Sequence, residues 1–357
     1  MGFVTRFTRV PIPLVIGAGK WKCGPYLVTT IIEGTLLSKC LGDPAMESPS
    51  LNPNVSNSEL EQAYRGMARV MLELSKPTFP AIRALKWEPG AWKVAKRPLS
   101  LNINEPVRVA NYPPNNFAQH SFQTASEYFQ ELATQQFLHL KYQCNNAVTD
   151  EHDCQKKYLA HCLSWKIAQQ ISTEPGSFNL YCDDFRPSNV FVSKSDFTVT
   201  RVIDWEFTYV APAELTYTAP WWLLFESPEA RESDLNRFLI QYTPHLQLFL
   251  QVLQGCEEEQ VQKGVLRESQ RLSGRMKNSM DSGLFWFCLA ARKSFMFDDI
   301  YWTFLHERYF GHLNSDQLSL LAQDERNELD EFVHTKMQQA KEETLDEHLT
   351  FDEVFDL

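Results

Sequence analysis

Tyr181-Cys182-Asp183-Asp184-Phe185-Arg186-Pro187-Ser188-Asn189-Val190-Phe191-Val192, followed by Val202-Ile203-Asp204-Trp205-Glu206, is the stretch on which the reading of this chain turns. Short β-branched and aromatic runs at 178–181 and 189–192 flank the first turn, and a third at 198–203 leads into the second, which predicts two carboxylate-rich loops held by strands. Asp184 and Asn189 stand as D-x-x-x-x-N, a spacing that lets one loop present a carboxylate base and an amide metal ligand to one pocket. Asp204, at the end of the next strand, adds the charged oxygen ligand that hard divalent cations prefer. Arg186 stands two residues after the base, where a cation offsets developing negative charge, and Pro187 stiffens the loop. Phosphoryl transfer explains these parts together, since it needs a group to take the proton of an attacking hydroxyl and oxygen ligands to hold Mg²⁺ against nucleotide phosphates. The plain alternative is that D-x-x-x-x-N arises by chance and that Asp183 and Asp184 are turn formers. The flanking strands and Ile203-Asp204 favour the catalytic reading.

Composition bounds the rest. The chain has 357 residues, 45 Asp+Glu against 34 Lys+Arg for a net charge of −11, and 43% hydrophobic residues, enough to bury a large core in one domain or two lobes. That acidity, without a basic face, argues against nucleic acid as a partner. No apolar run reaches the roughly 18 residues of a membrane helix, and residues 1–10 lack the apolar core of a secretory signal, so a cytoplasmic protein is expected. Eight cysteines without C-x-x-C spacing read as reduced, mostly buried thiols, and nine histidines show no ligand spacing. Cys182, followed by two acids, reads as a packing residue with a raised pKa. At least one of Trp221 and Trp222 reads as core.

Hydrophobic periodicity orders the chain. Residues 14–16 and 26–32 read as strands, 42–57 as a polar loop, and the recurrence of Leu60, Tyr64, Met67, Val70, Met71 and Leu74 predicts a helix ending before Pro77. Pro89-Gly90 predicts a hairpin turn within 87–104, and helices are expected at 125–143, 154–170, 235–252, 284–305 and 318–337. Residues 341–357 are strongly acidic and read as a solvated tail. Gly17-Ala18-Gly19-Lys20 is no phosphate-binding loop, because Leu14 and Trp21 occupy positions where a Gly and a Ser or Thr are required.

Residues 180–192 together with 202–207 resemble the aminoglycoside phosphotransferase and choline kinase-like family, which has the protein-kinase-like two-lobed fold. Its loop usually reads H-G-D-x-x-x-x-N with a D-x-E-like metal motif downstream. Here Cys182 replaces the His, Asp183 replaces the Gly, and Asp184 keeps the aspartate. Asp204-Trp205-Glu206-Phe207-Thr208-Tyr209, then Ala211-Pro212 and Pro220-Trp221-Trp222-Leu223-Leu224, is similar to a branch common among filamentous fungi, and the resemblance covers most of the chain. It implies an α+β fold: a small, incomplete β lobe at 1–35, a large mainly helical lobe at 36–340 and the tail at 341–357. It implies ATP and Mg²⁺ as cofactors and a small-molecule hydroxyl as phosphoryl acceptor, with Asp184 as base, Arg186 near the phosphates, Asn189 and Asp204 on the metal, and the backbone of Thr30, Ile31 and Ile32 against the adenine.

One departure tempers this. In the family a Gly-rich loop, a phosphate-holding strand lysine and its helix glutamate precede an I-P-x-P turn, which Arg9-Val10-Pro11-Ile12-Pro13 resembles. Only about ten residues precede that turn here. The chain is therefore expected to be a truncated product or to lack half of its nucleotide clamp, with weak or absent activity. A non-catalytic binding or scaffold protein of the same fold is the alternative. D-F-G and A-P-E elements are missing, which argues against a protein kinase.

Overall fold

The computed structural model describes the chain except residues 23, 99, 172, 174, 175, 177, 227, 229–233, 313–316 and 343–357. The expected acidic tail thus lies, from residue 343 onward, outside the described residues. In the first half the order is α1 (Gly2–Phe7), β1 (Val15–Trp21), β2 (Gly24–Thr29), β3 (Thr35–Leu36), α2 (Leu37–Leu41), α3 (Asn57–Ser75), β4 (Thr78–Phe79), β5 (Ala84–Glu88), β6 (Ala91–Lys96), α4 (Asn104–Val109), α5 (Ala125–Tyr142) and α6 (Glu151–Gln170). Then come β7 (Phe178–Cys182), β8 (Val190–Val192), β9 (Val199–Val202), β10 (Thr208–Pro212), α7 (Ala213–Thr216), α8 (Leu235–Gln262), α9 (Ser273–Ser282), α10 (Leu284–Ala290), α11 (Phe297–Ile300), α12 (His306–Phe310) and α13 (Gln323–Lys341). Small antiparallel sheets beside a mainly helical body make the α+β architecture expected from the sequence. Among the described residues no helix is long and apolar enough to cross a membrane.

The helices begin where local chemistry says they should. Ser56 accepts from the Glu59 amide while the Glu59 carboxylate accepts from the Ser56 amide, and Thr124 and Glu127 repeat this reciprocal cap on α5. Along α3 the predicted face is buried: Leu60, Tyr64, Met67, Val70 and Leu74 point into the core. Tyr64 packs edge-on against Phe249 of α8 and donates its hydroxyl to the Leu223 carbonyl 3.0 Å away, so its polar end is satisfied at full burial. Phe137 of α5, Tyr158 of α6 and Phe332 of α13 form a second aromatic seam.

The sheets place the two loops of interest. β7 is the centre of a β10-β7-β4 sheet, and β8 is the centre of a β3-β8-β9 sheet. The chain leaves the first sheet at Cys182 and enters the second at Val190, then leaves the second at Val202 and returns to the first at Thr208. Both segments singled out in the sequence are thus crossings between the same two sheets, and geometry forces them side by side.

Several expected boundaries differ. The strand expected at 26–32 stops at Thr29, because the Thr30 amide closes the hairpin on the Leu14 carbonyl, 3.0 Å away, and the chain then turns at Gly34, φ 110°. The hairpin expected within 87–104 does turn at Pro89-Gly90, but its strands run from Ala84 to Lys96, and Leu101–Ile103 is a single helical turn. The helix expected at 284–305 breaks after Ala290, where the buried Arg292 folds back onto the Cys288 carbonyl at 2.9 Å, and it resumes at Phe297. The last helix starts at Gln323 rather than 318.

Gly34 is the glycine that the chain path cannot spare. A Cβ there would stand 2.6 Å from the Val192 carbonyl oxygen and 3.0 Å from the Thr200 hydroxyl, in a backbone region that side chains disfavour. Gly34→Ala should lower the stability by about 1–3 kcal/mol in urea unfolding, and an unchanged midpoint would contradict the tight passage.

Candidate functional site

Asp184 opens the first crossing and is 5% exposed. The Asn189 side-chain amide donates to both its Oδ2 and its main-chain oxygen, each at 2.9 Å, and the Asn189 main-chain amide donates to the Arg186 carbonyl at 2.9 Å. The D-x-x-x-x-N spacing is therefore a closed turn in which the asparagine orients the aspartate. Arg186 Nε lies 2.8 Å from Asp184 Oδ1 but out of line for a hydrogen bond, so that buried oxygen is left without a hydrogen-bond donor.

The second crossing is fastened to the first by its main chain. The Ile203 amide donates to the Asn189 carbonyl at 2.9 Å, and the Asp183 amide donates to the Phe207 carbonyl at 3.0 Å. The Cys182 thiol points at the Asp204 carbonyl, 3.9 Å away. Asp204 itself adopts a left-handed backbone, φ 56°, with its side chain exposed. Such a conformation is unusual for a residue with a side chain and is held in place here by its neighbours.

Burial pushes the Asp184 carboxyl above its ordinary range. Arg186 and Asn189 pull it down, and the negative charges of Asp204 and Asp183 raise it further. The Cys182 thiol, fully enclosed, is pushed up to about 12, chiefly by burial and then by the neighbouring acids. It is a packing group, as its place beside the acids Asp183 and Asp184 implied.

Asp183 and Asp184 have different jobs. Asp183 Oδ1 accepts from Arg292 Nη1 at 2.5 Å, and its Oδ2 accepts from the Leu101 amide at 2.9 Å. The same Arg292 nitrogen reaches the Tyr181 hydroxyl at 2.6 Å. Both charged side chains are almost fully buried, so this pair anchors the loop from below while Asp184 faces the second crossing. Nothing in the sequence pointed to Arg292, which lies 109 positions away from its partner in an unremarkable Ala-Ala-Arg-Lys run.

Asp184, Arg186, Asn189 and Asp204 are gathered in these two crossings. Thr30, Ile31 and Ile32 make no hydrogen bond, ion pair or ring contact with those four among the described residues. Thr30 spends its amide on Leu14 and its carbonyl on the Thr29 hydroxyl, 3.2 Å away, while Ile31 is 92% exposed. The free main-chain groups of an expected adenine contact reduce to those of Ile31 and Ile32. Trp222 is core, packed edge-on against Phe185 and Phe249, and the half-buried Trp221 lies beside Lys293. Between these tryptophans and the loop is a cavity of about 60 Å³, room for a few waters but not for an organic acceptor.

The donor set suits a hard cation. Asn189 uses its amide nitrogen on Asp184, which leaves its amide oxygen as the end for a metal, and the Asp184 Oδ1 lacks a donor. Among the described residues no three His, Cys, Asp or Glu side chains converge as a metal-ligating group, so two carboxylates and an amide would leave part of the shell to other oxygens.

No family model matches the chain, and no curated protein does. Among solved structures it is similar to a protein from Ralstonia eutropha JMP134 provisionally assigned as an aminoglycoside phosphotransferase, with 11% identity, 95% of this chain and 80% of that one covered, and a TM-score of 0.39. It is also similar to the GDP complex of aminoglycoside 2'-phosphotransferase-IIIa, with 13% identity, 96% and 79% covered, and a TM-score of 0.37. A thermostable mutant of aminoglycoside phosphotransferase APH(4)-Ia with AMP-PNP and hygromycin B matches at 15% identity, 79% and 81% covered, and a TM-score of 0.39. Likenesses this distant carry no argument, and the chemistry rests on the residues above.

Two outcomes follow. Arg292→Met should cost about 3–5 kcal/mol in chemical unfolding, because it strands a buried aspartate, and adding Asp183→Leu should recover part of the loss. Additive losses would contradict the pairing. A carboxylate with a raised folded pKa contributes stability below its unfolded value of about 3.9 and loses it as pH climbs through the folded one. Asp184→Asn should therefore be the more stable protein at pH 7 in chemical unfolding, with the gain gone near pH 3. A wild type equally stable at pH 7 would refute the buried charge.

Proposed function

We propose that this chain is a phosphotransferase of the kind its catalytic loop resembles, moving the γ-phosphoryl group of ATP to a hydroxyl of a small molecule. The observation that carries the proposal is the closed Asp184–Asn189 turn fastened against Asp204 by two main-chain hydrogen bonds. Asp184 takes the proton from the incoming hydroxyl, and its raised pKa brings its basicity closer to that task. Asn189 and Asp204 hold Mg²⁺, which when bound neutralises phosphate charge. Arg186, half exposed at the lip of the loop, meets the transferring group and balances Asp184 until then. Ile31 and Ile32 offer their main-chain groups to the nucleotide base. Trp221 stands on the acceptor side.

Base and metal ligands are held by main-chain ties between the two sheets, so the geometry of the catalytic groups is set before the nucleotide arrives.

The test is transfer of a radiolabelled γ-phosphoryl group from ATP to a panel of hydroxyl acceptors in the presence of Mg²⁺. Asp184→Asn should lower kcat by about 10²–10⁴-fold while leaving nucleotide affinity near wild type. Asp204→Ala should abolish the Mg²⁺ dependence. Residual turnover equal in all three proteins would come from a contaminant and would overturn the reading.

A further inference from the structure

A second cavity opens on the far side of Trp205, between α1, the β5–β6 hairpin and the start of β10. It has a volume of about 410 Å³, and Phe3, Leu85, Trp92 and Trp205 supply apolar wall, with Arg97, Glu206, Thr208 and the amino-terminal Met1 bearing its polar groups. That volume lies in the range of small-ligand sites, and the mixture of aromatic wall with few polar groups is how such sites are built. The buried Arg97 Nη1 has no hydrogen-bond partner, and the Thr208 hydroxyl lies beside the Cys182 thiol. Arg97 has no carboxylate within ion-pair distance among the described residues, and its guanidinium lies 5.5 Å from the centre of the Phe117 ring. Glu206 shares the cavity, but it is exposed and makes no ion pair with Arg97.

A guanidinium set against an aromatic ring, with a buried nitrogen unmatched, is a costly arrangement for a protein to keep empty. It is a good one for a planar anion, which pairs with the guanidinium through two parallel hydrogen bonds. The apolar wall asks for a hydrocarbon or aryl body on that anion. We infer that this cavity binds an organic monocarboxylate with an apolar body, its carboxylate on Arg97 and Thr208 and its tail against Phe3, Leu85 and Trp92. The occupant packs against Trp205, the residue after Asp204. The inference stands independently of phosphoryl transfer, because its test reads binding alone.

The experiment titrates the full chain with decanoate and, in parallel, with 1-decanol below their aggregation limits, following tryptophan fluorescence, which Trp92 and Trp205 should report. Decanoate is expected to bind saturably and at least tenfold more tightly than decanol, and Arg97→Met should remove that difference without changing decanol binding. Equal affinity for the two probes, no saturable binding of decanoate, or decanoate binding unaffected by Arg97→Met would overturn the site. The comparison of the two probes on the unaltered protein decides the matter even if the variant does not fold. The exposed apolar residues of the β1–β2 hairpin, Ile16, Trp21 and Leu27, would bind both probes alike and so cannot imitate the expected result.

Discussion

The phosphoryl-transfer reading of this protein depends on one pair of main-chain hydrogen bonds, Ile203 to Asn189 and Asp183 to Phe207, which fasten two sheet crossings edge to edge. Each crossing alone is a polar turn of the kind that any surface carries. Fastened together, they set an aspartate that is almost buried against an aspartate that is exposed, with an asparagine between them. The charge concentrated there is expensive for the fold, and the raised pKa of Asp184 records that expense. A cation and phosphates are the partners that would relieve it. Stability and function pull in opposite directions at this point, as is common where a site is assembled ahead of its ligand.

The crossings in turn need a foundation, and Asp183 provides it. A buried aspartate in a loop would ordinarily be a defect, but Arg292, Tyr181 and the Leu101 amide saturate it, and the helical body bends at Arg292 to make this possible. The adjacent acids look interchangeable in the sequence. In three dimensions one is a structural anchor and the other is the group left to do chemistry. The same division separates the tryptophans, Trp222 in the core and Trp221 at its margin.

What could be read from the sequence was local. The reciprocal caps at Ser56 and Thr124, the buried stripe of α3, the Pro89-Gly90 turn and the strand–turn–strand setting of Asp184 all follow from interactions within a few residues. The acidic character of the two loops and the spacing of Asp184 and Asn189 carried over to the site for the same reason. What could not be read was long-range. Arg292 meets Asp183 across more than a hundred positions, the helix expected at 284–305 is broken by that meeting, and the strand expected to reach residue 32 ends where Leu14 captures Thr30. The cavity lined by Arg97 is likewise made by three elements far apart in the chain, and no motif announces it. Thr30 is a long-range case too, because its hydrogen-bonding groups are spent on Leu14 and Thr29 inside the hairpin.

The central claim is that the two fastened crossings form a cation and phosphate site. The most direct test is paramagnetic resonance of Mn²⁺ titrated into the protein with and without a nonhydrolysable ATP analogue, with Asp204→Ala as the control. The account predicts that the free Mn²⁺ signal falls as a protein complex forms, more strongly with the nucleotide present, and that the alanine variant leaves it where nucleotide alone would. A free-ion signal identical for the two proteins, with and without nucleotide, would contradict it.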